Sequence, residues 1–532
     1  MKSTSLSDKW PVMKNEYSRM AVFLAFATLL LAFRWPGFTL AFDPFLRFED
    51  GPIFMNQTQD LGISSFWTPT SYLHTYQRVI ALVSTLISFE YRPLILLAGW
   101  FIGFLFTCAV VVRAAKLFDF DAAAIFILLA LVILQPHNGE TFFTLTNIQW
   151  WLGLSLFLLI ICLDPEKSSV SPGRLVLFAV LGLTGPFCIV ALPVLAVRFM
   201  LLRDYRNYGL YLVIFICAVI QFHFALDYGR FSNENALPFW PMVKNILYKW
   251  KYFLCFRHAS FPGIVLPVVF WLVFIYAALS FRGKTLSIQF LVLLSSIVIN
   301  VMVVSFECRN HAPSYAASRY TVIPYSLIFF TLLELVKRKH GLRRLAVGLS
   351  IFLCLVNIHR LRDKYYHLDS HFRSYVNFSR YSDMSIPIPP ANSERAFWHI
   401  KARAEENKNL GQLNGTIWPF SPSHDLANNP IDNLGPFLCA PGSADVGLKL
   451  EFKQETDNVV TVRWRTSGQD FSERRGMSWW YPADTAEAYY AFPYEAKEPG
   501  ALFFNLRVEP GVPGAVGGGG MALDRISVYC LP

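Results

Sequence analysis

Charged residues are scarce in this chain of 532 residues. Asp, Glu, Lys and Arg make up 16% of the sequence, whereas soluble globular proteins carry about 25%. The hydrophobic fraction is 54% and the mean hydropathy is +0.38. Several apolar runs approach the roughly 20 residues that a membrane-spanning helix needs. This composition excludes a soluble enzyme and a disordered chain, and it indicates a protein that crosses a membrane several times.

Several sequence signatures are also lacking. The chain contains no P-loop, no GxGxxG after a strand, no HExxH and no paired CxxC. A nucleotide-driven pump or a soluble-type nucleotide-sugar enzyme therefore has no support. Nine cysteines in 532 residues are ordinary usage, which excludes a small disulfide scaffold.

The net charge of +10 is unevenly distributed. Residues 391–532 carry 13 Lys and Arg against 17 Asp and Glu, a net charge of −4, which leaves +14 for the first 390 residues. Most of this excess lies in short loops between apolar runs, as the positive-inside rule expects of a polytopic protein. The basic balance therefore does not indicate a nucleic-acid partner.

The apolar runs predict eleven membrane spans, with boundaries open by a few residues. A shorter run at 79–89 is predicted to be a re-entrant or interfacial helix on the outer side. The spans are predicted at 20–41, 93–112, 122–135, 148–163, 174–186, 187–202, 209–224, 263–281, 286–305, 319–336 and 344–359.

With eleven spans, the basic loops all fall on the side of the N-terminus. The polar, basic segment 1–19 lacks the features of a cleaved signal peptide and is interpreted as a cytoplasmic tail. The C-terminus is then outside. The basic loops contain Arg113 and Lys116; Lys167 and Arg174; Arg198, Arg203 and Arg206; Arg282 and Lys284; and the run KRKHGLRR at 337–344.

The character of the chain changes after the last span. Residues 20–360 are predicted to form the multispanning domain, with a long first outer loop at 42–92. A polar, proline-bearing linker or stalk at 361–434 follows. Alternating apolar and polar residues at 435–532 predict a small antiparallel β-sandwich outside the membrane. The fold class is thus a mainly α-helical polytopic membrane protein with a C-terminal extracytoplasmic β-sandwich.

Two cysteines bracket the predicted sandwich. Cys439 and Cys530 lie near its two ends, and in an oxidising compartment they would join those ends as a disulfide. The alternative is two unpaired thiols. The residue pattern alone leaves both open.

Two adjacent carboxylates, Glu49 and Asp50, lie in the first outer loop. Acidic groups close to a membrane face are costly to desolvate and are usually functional at that depth. Such a carboxylate can act as a general base on an incoming hydroxyl. The alternative is a solvated loop acid, or an acid that pairs with Arg47.

A short outer loop contains His137, Asn138 and Glu140. These side chains can bind a sugar hydroxyl, orient a base or hold a cation, whereas the plainer interpretation is a polar turn around Gly139. One His and one Glu are too few to define a metal site.

Cations in two other outer loops run against the positive-inside bias. Lys249, Lys251 and Arg257 lie among aromatic residues. This pattern is typical of a site that binds an anionic lipid phosphate, and also of an amphipathic helix at the membrane interface. Arg319 and Tyr320 begin a span from the outer side, where an arginine can bind a phosphate bidentately or face lipid headgroups. Arg309 and His311 lie a short loop away from Arg319, and His74, Gln77 and Arg78 precede the run at 79–89 and are candidates to line the same cavity.

These features together resemble the GT-C superfamily, the polytopic membrane glycosyltransferases that use lipid-linked sugar donors. The resemblance covers about residues 15–360. Three elements carry it: the pair Glu49-Asp50 after the first span, SYLHTYQRVIAL at 71–82, and SRYTVIP at 318–324. The string FFNLRVEPGVPGAVGGGGMALDRISVY also resembles carbohydrate-binding β-sandwich tails of some bacterial surface-glycan enzymes.

The resemblance implies an inverting transfer of a hexose or pentose from a polyprenyl-phosphate donor. Asp50 is then the base, with Glu49 as a helper or the alternative base. Arg319 and Tyr320, with Lys249, Lys251 and Arg257, would hold the lipid phosphate. His137, Asn138, Glu140, His74, Arg78, Arg309 and His311 would contact substrate.

The resemblance also implies partners and a location. The acceptor is an O-antigen, another surface polysaccharide or a pilin-like protein in the periplasm, and the enzyme lies in the bacterial inner membrane. No cofactor is required outright. Some members use Mg²⁺ or Mn²⁺, for which Glu49, Asp50 and Glu140 would supply oxygen ligands.

Two other function classes stay open at this stage. A transporter or flippase of lipid-linked glycans would need polar residues along the spans, yet most predicted spans are nearly free of charge. A non-catalytic membrane anchor for a glycan-binding domain explains the tail, but it leaves eleven spans and the outer polar residues without a purpose.

Overall fold

The computed structural model describes most of the helical region and the strands of the tail. The described residues are 6–34, 50–68, 72–135, 141–164, 170–227, 238, 240–241, 268–269, 271–273, 275–276, 288–307, 319–336, 344–349, 351–352, 372–387, 399–404, 408–413, 415–419, 430–437, 439, 445–454, 458–466, 476–481, 486–493, 502–510 and 521–531.

The chain divides into two compact units. The helical unit comprises Met1–Phe42, Ile63–Val83 and Ile95–Tyr365, and the tail unit comprises Asp43–Gly62, Ser84–Leu94 and Tyr366–Pro532. Two stretches of the loop predicted at 42–92 therefore group with the tail, whereas the predicted domains divide at residue 360.

The helical unit is a bundle of apolar helices. Among the described residues, three helices are long and apolar enough to cross a membrane, namely Phe89–Leu117, Tyr205–Asp227 and Arg319–Val336. The helices are α1 (Leu6–Leu31), α3 (Thr75–Ser84), α4 (Arg92–Leu117), α5 (Ala122–Ile133), α6 (Ile148–Ile161), α7 (Pro172–Gly182), α8 (Phe187–Leu202), α9 (Tyr208–Asp227), α10 (Ile288–Glu307) and α11 (Val322–Val336); a short helix α2 (Asn56–Leu61) belongs to the tail unit.

The predicted spans coincide with helices wherever the structure describes them. Helix α1 differs: it begins at Leu6, within the predicted polar tail, and ends at Leu31 rather than at residue 41. Hydropathy marks where a helix becomes apolar, whereas its backbone can begin earlier among polar residues. The predicted spans at 263–281 and 344–359 lie mostly outside the described residues, so the number eleven stays a prediction.

Capping residues set several helix starts. Asp121 precedes α5, and its Oδ1 accepts a hydrogen bond from the Ala124 amide at 2.8 Å. Ser171 precedes α7 and accepts from the Arg174 amide at 3.4 Å, with Pro172 at the first helical position. The run at 79–89 is represented by α3, whose ten residues are too few to cross a bilayer.

A buried ion pair fastens the segment between α8 and α9. Arg198 Nη2 lies 2.9 Å from Asp204 Oδ2, and both side chains are almost fully buried. Arg198 also donates to the carbonyl oxygens of Ile161 and Leu163, and the Tyr211 hydroxyl donates to Asp204 at 2.8 Å. Every charged atom named here has a hydrogen-bonding partner, which is the condition for burying such a pair.

The tail unit contains a sandwich of two antiparallel four-stranded sheets, in the orders β3-β10-β5-β8 and β4-β9-β6-β7. The Trp464 and Phe492 rings, one from each sheet, stack with centroids 4.1 Å apart. The strands are β1 (Met384–Pro387), β2 (His399–Ala402), β3 (Gly415–Pro419), β4 (Ile431–Phe437), β5 (Asp445–Gln454), β6 (Asn458–Thr466), β7 (Gly476–Tyr481), β8 (Glu487–Pro493), β9 (Leu502–Pro510) and β10 (Met521–Leu531).

The sandwich begins earlier than residue 435. Strands β3 and most of β4 lie in the segment predicted as a linker, as do the paired strands β1 and β2 and helix α12 (Phe372–Ser379). Strand β4 contains Asp, Asn, Gly and Pro, which strands rarely use, so the sequence pattern missed it. The structure joins Cys439 and Cys530 in a disulfide.

Replacing Asp204 with Asn is expected to destabilise the helical unit by about 3–5 kcal/mol, because Arg198 is left as a buried charge without its counter-ion. The measurement is thermal unfolding of the detergent-purified protein. The control is Asp227→Asn in α9, whose pair with His223 is exposed (69% and 53% of the two side chains) and should change stability by about 0.5 kcal/mol or less. Equal shifts in both variants would contradict the assignment.

Candidate functional site

Asp50 is buried in the tail unit, with 4% of its surface exposed. It directly precedes a π-helix at Gly51–Met55, in which Gly51, Phe54 and Met55 are buried. Helix α2 follows at once. Single π-helical turns are rare and frequently occur at functional sites, and a buried carboxylate needs a specific environment. Glu49 lies outside the described residues.

The segment that carries Asp50 is held by the tail. The π-helix packs against strand β2. The Phe89 ring stacks on Phe372 of α12, with centroids 6.1 Å apart, and Arg380 Nη2 lies 2.7 Å from Glu90 Oε2. We call these four residues, Phe89, Glu90, Phe372 and Arg380, the loop clamp. The clamp explains why parts of the first loop belong to the tail unit.

A second connection links the two loop segments to each other. Arg92 Nη1 donates to Gln59 Oε1 at 3.1 Å, which joins the start of α4 to helix α2. The position of Asp50 therefore depends on residues that are distant in sequence but lie in the same compact unit.

In the helical unit, polar groups collect where two chain segments meet. The Gln221 amide of α9 accepts a hydrogen bond from the Leu73 amide at 2.8 Å and donates to the carbonyls of Leu73 and Gly185, each at 3.1 Å. The Gly185 amide also donates to the Leu73 carbonyl at 3.0 Å. Gln221 thus satisfies backbone groups of two segments, the one before α3 and the break between α7 and α8.

His74 and Arg78 are brought together in this unit. The Arg78 amide donates to the His74 carbonyl at 2.9 Å, and both side chains are buried. Burial, followed by the charge of Arg78, lowers the pKa of His74 to about 3. The imidazole is therefore neutral at physiological pH. Arg78 Nη2 donates to the Thr68 carbonyl at 2.9 Å.

Tyr320 contacts residues that the sequence did not single out. The Trp150 ring at the start of α6 lies edge-on to Tyr320 and to Phe187, with centroids 5.0 Å apart in both cases. The Arg319 guanidinium lies 5.6 Å from the centroid of the Tyr320 ring. The phosphate-binding role predicted for Arg319 and Tyr320 is not tested by these contacts and stays a prediction.

The sequence pattern missed, or gave little weight to, four buried side chains in α3, α6 and α9: Gln77, Gln149, Trp150 and Gln221. A single amide within an apolar run is a signal in itself, because polar groups at membrane depth are costly. The sequence does not show which amide meets which backbone segment.

The remaining predicted site residues lie outside the described residues, so the structure does not locate them. Among the described residues, no group of three or more His, Cys, Asp and Glu is placed to hold a metal ion. The predicted cation site also involves Glu49 and Glu140, and it stays a prediction. The residues outside the described ranges are Glu49, His137, Asn138, Glu140, Lys249, Lys251, Arg257, Arg309 and His311.

Comparisons with known proteins give distant structural similarity. No family model matches the sequence, and no curated protein matches it. The Archaeoglobus fulgidus oligosaccharyltransferase in complex with Zn and sulfate aligns with a TM-score of 0.39 and 13% identity, over 76% of this chain and 59% of that one. The same enzyme tethered to an acceptor peptide with the NVT sequon gives 0.37 and 12%, over 77% and 61%.

This chain thus spans about three fifths of the length of the solved chains it matches.

Reversing the charges of the clamp tests whether it holds the first loop. Glu90→Arg and Arg380→Glu should each destabilise the tail unit. The double variant should be about 0.5–1 kcal/mol more stable than the sum of the two single losses predicts, a modest value because both side chains are partly exposed. The measurement is a double-mutant cycle by thermal unfolding. Additive losses would show that the two groups do not interact.

Stability is expected to fall below pH 6.5 because of His74. The folded protein keeps the imidazole neutral, with its pKa at about 3, whereas the unfolded chain binds a proton below the ordinary value of about 6.5. Above that pH, this group does not lower the free energy of unfolding. As the pH falls, the free energy of unfolding decreases, by about 1.4 kcal/mol at pH 5.5. Melting temperatures of wild type and His74→Asn at pH 7.5 and 5.5 measure it. An identical pH dependence in both would contradict the assignment.

Proposed function

We propose that this protein is a membrane glycosyltransferase that moves a sugar from a polyprenyl-phosphate donor to an extracytoplasmic acceptor. The observation that carries the proposal is a buried carboxylate, Asp50, at the start of a π-helix in the first outer loop. A lipid-linked donor cannot leave the bilayer, so its sugar–phosphate bond must be met at the membrane face.

In the proposed reaction, Asp50 removes the proton from the acceptor hydroxyl. The acceptor oxygen forms a bond to the anomeric carbon while the bond from that carbon to the phosphate oxygen breaks, and the electron pair goes to the lipid phosphate. The configuration inverts. Arg319 and Tyr320, with Lys249, Lys251 and Arg257, hold the departing phosphate, and Glu49 assists Asp50 or replaces it as base.

The acceptor in this proposal is a surface polysaccharide such as an O-antigen, or a pilin-like protein. The enzyme lies in a bacterial inner membrane, with the N-terminus in the cytoplasm and the sandwich in the periplasm. Support over a transporter comes from the placement of the polar side chains. His74, Gln77 and Gln149 lie at the starts of α3 and α6. Most predicted spans are nearly free of charge, whereas a transporter of lipid-linked glycans would need polar residues along them.

Asp50→Asn should lower sugar transfer by roughly 10²–10⁴-fold, since the amide cannot accept the proton. The measurement is transfer in membranes that contain a radiolabelled polyprenyl-phosphate sugar pool, at matched expression. The matched control is Asp60→Asn, an exposed acid on α2 in the same unit, which should retain activity.

Adding a chelator to both arms decides whether Mg²⁺ or Mn²⁺ is needed. Equal transfer by wild type and Asp50→Asn would contradict the role of Asp50 and would move the base to Glu49 or Glu140. If neither protein transfers any of the supplied sugars, the transporter and anchor interpretations gain.

A further inference from the structure

Three buried polar atoms on α3 and at the start of α6 lack a hydrogen-bond partner among the residues that the structure describes. They are Gln77 Oε1, Gln149 Oε1 and Trp150 Nε1. Buried polar groups in native proteins nearly always have a partner, so each exception calls for an explanation, such as a bound water or ligand.

The residues that carry these atoms lie at or beside the start of α6. Gln77 of α3 donates through Nε2 to the Thr146 carbonyl at 3.2 Å, just before α6 begins. Gln149 and Trp150 are the second and third residues of α6. The Gln149 side chain lies over Gly185, where an added Cβ would come within 2.6 Å of Oε1. Because Gly185 has no side chain, the Gln149 amide can occupy this space.

The chemistry of these atoms restricts the ligand. Two amide oxygens accept hydrogen bonds and one indole N–H donates, so the ligand must offer hydroxyl donors and an acceptor together. None of the three groups carries a charge, which does not suit a phosphate, and a bare cation would leave the indole N–H unsatisfied. A sugar hydroxyl is both donor and acceptor.

The surroundings fit the rest of a sugar ring. The rings of Trp150, Phe187 and Tyr320 lie edge to face around the same helix start, and aromatic rings supply the apolar surface on which the C–H faces of a pyranose pack. We propose that Gln77, Gln149 and Trp150 form a subsite for an uncharged sugar ring. The subsite deepens the proposed function and rests on it, because the sugar comes from the lipid-linked donor or from a glycan acceptor.

The test is a binding measurement, which does not require turnover. Full-length protein in nanodiscs is titrated with polyprenyl phosphate bearing glucose, galactose or mannose, and with sugar-free polyprenyl phosphate. A second arm uses soluble oligosaccharides of the same sugars. The wild type should bind one of the sugar-bearing probes about tenfold more tightly than its sugar-free counterpart, or bind the oligosaccharide.

Gln149→Leu should remove this sugar-dependent gain without lowering the melting temperature. The substitution deletes an amide oxygen that has no partner among the described residues, so a purely structural role predicts equal or higher stability and unchanged sugar binding. Trp150→Phe is the second variant, because it removes the N–H donor and keeps a ring against Phe187 and Tyr320. It should also reduce the gain.

The matched control is Gln135→Leu, which removes another buried amide oxygen without a described partner, near the end of α5. It should leave sugar binding unchanged. Loss of the gain in the lipid arm assigns the subsite to the donor, and loss in the oligosaccharide arm assigns it to the acceptor. The subsite would be overturned if both variants kept the tighter binding of sugar-bearing probes. It would also be overturned if the wild type showed no such preference with any probe. Bound water would then be the partner of these atoms.

This outcome is separable from that of the proposed function. Asp50→Asn tests transfer, whereas the titration tests recognition of the sugar. Sugar-dependent binding without transfer would keep the subsite and reject the glycosyltransferase. Transfer without sugar-dependent binding would do the reverse.

Discussion

The Gln221 side chain makes the hydrogen bonds that join the segment before α3 to the break between α7 and α8. A buried backbone amide or carbonyl without a hydrogen-bond partner costs about 1–3 kcal/mol. The chain nevertheless breaks between α7 and α8 and passes through Leu73 on its way into α3. One amide in α9 supplies partners to Leu73 and Gly185 together. Once these two segments are fixed, the positions of His74 and Gln77 follow from α3, which begins directly after Leu73.

Charged side chains in the helical unit are used differently from neutral amides. Arg198 binds the carbonyls of Ile161 and Leu163 at the end of α6, and Arg34 binds those of Ile133 and Gln135 at the end of α5. Free carbonyls at a helix C-terminus attract cations. These arginines therefore fasten helix ends.

The sequence predicted the elements whose cause is local. Apolar runs marked the helices because burial and length are properties of the run itself, and alternation marked β5, β6, β9 and β10. It did not predict the loop clamp, because nothing local connects Glu90 with Arg380, which lies 290 positions along the chain. Nor did it predict the π-helix after Asp50, since that geometry depends on the packing against β2 rather than on Gly51–Met55 alone.

Because parts of the first loop group with the tail unit, the tail has a role in positioning that loop. A tethered glycan-binding module would fold separately from the membrane-side loops, and its removal would leave the environment of Asp50 intact. Here strand β2, helix α12 and the sandwich share one compact unit with residues 43–62 and 84–94. The burial of Asp50 therefore depends on chain made more than 300 residues later. An acid that is to act as a base needs a defined environment, and in this protein the tail supplies part of it. The contribution of the tail unit that the structure shows is therefore to the geometry of the loop that contains Asp50.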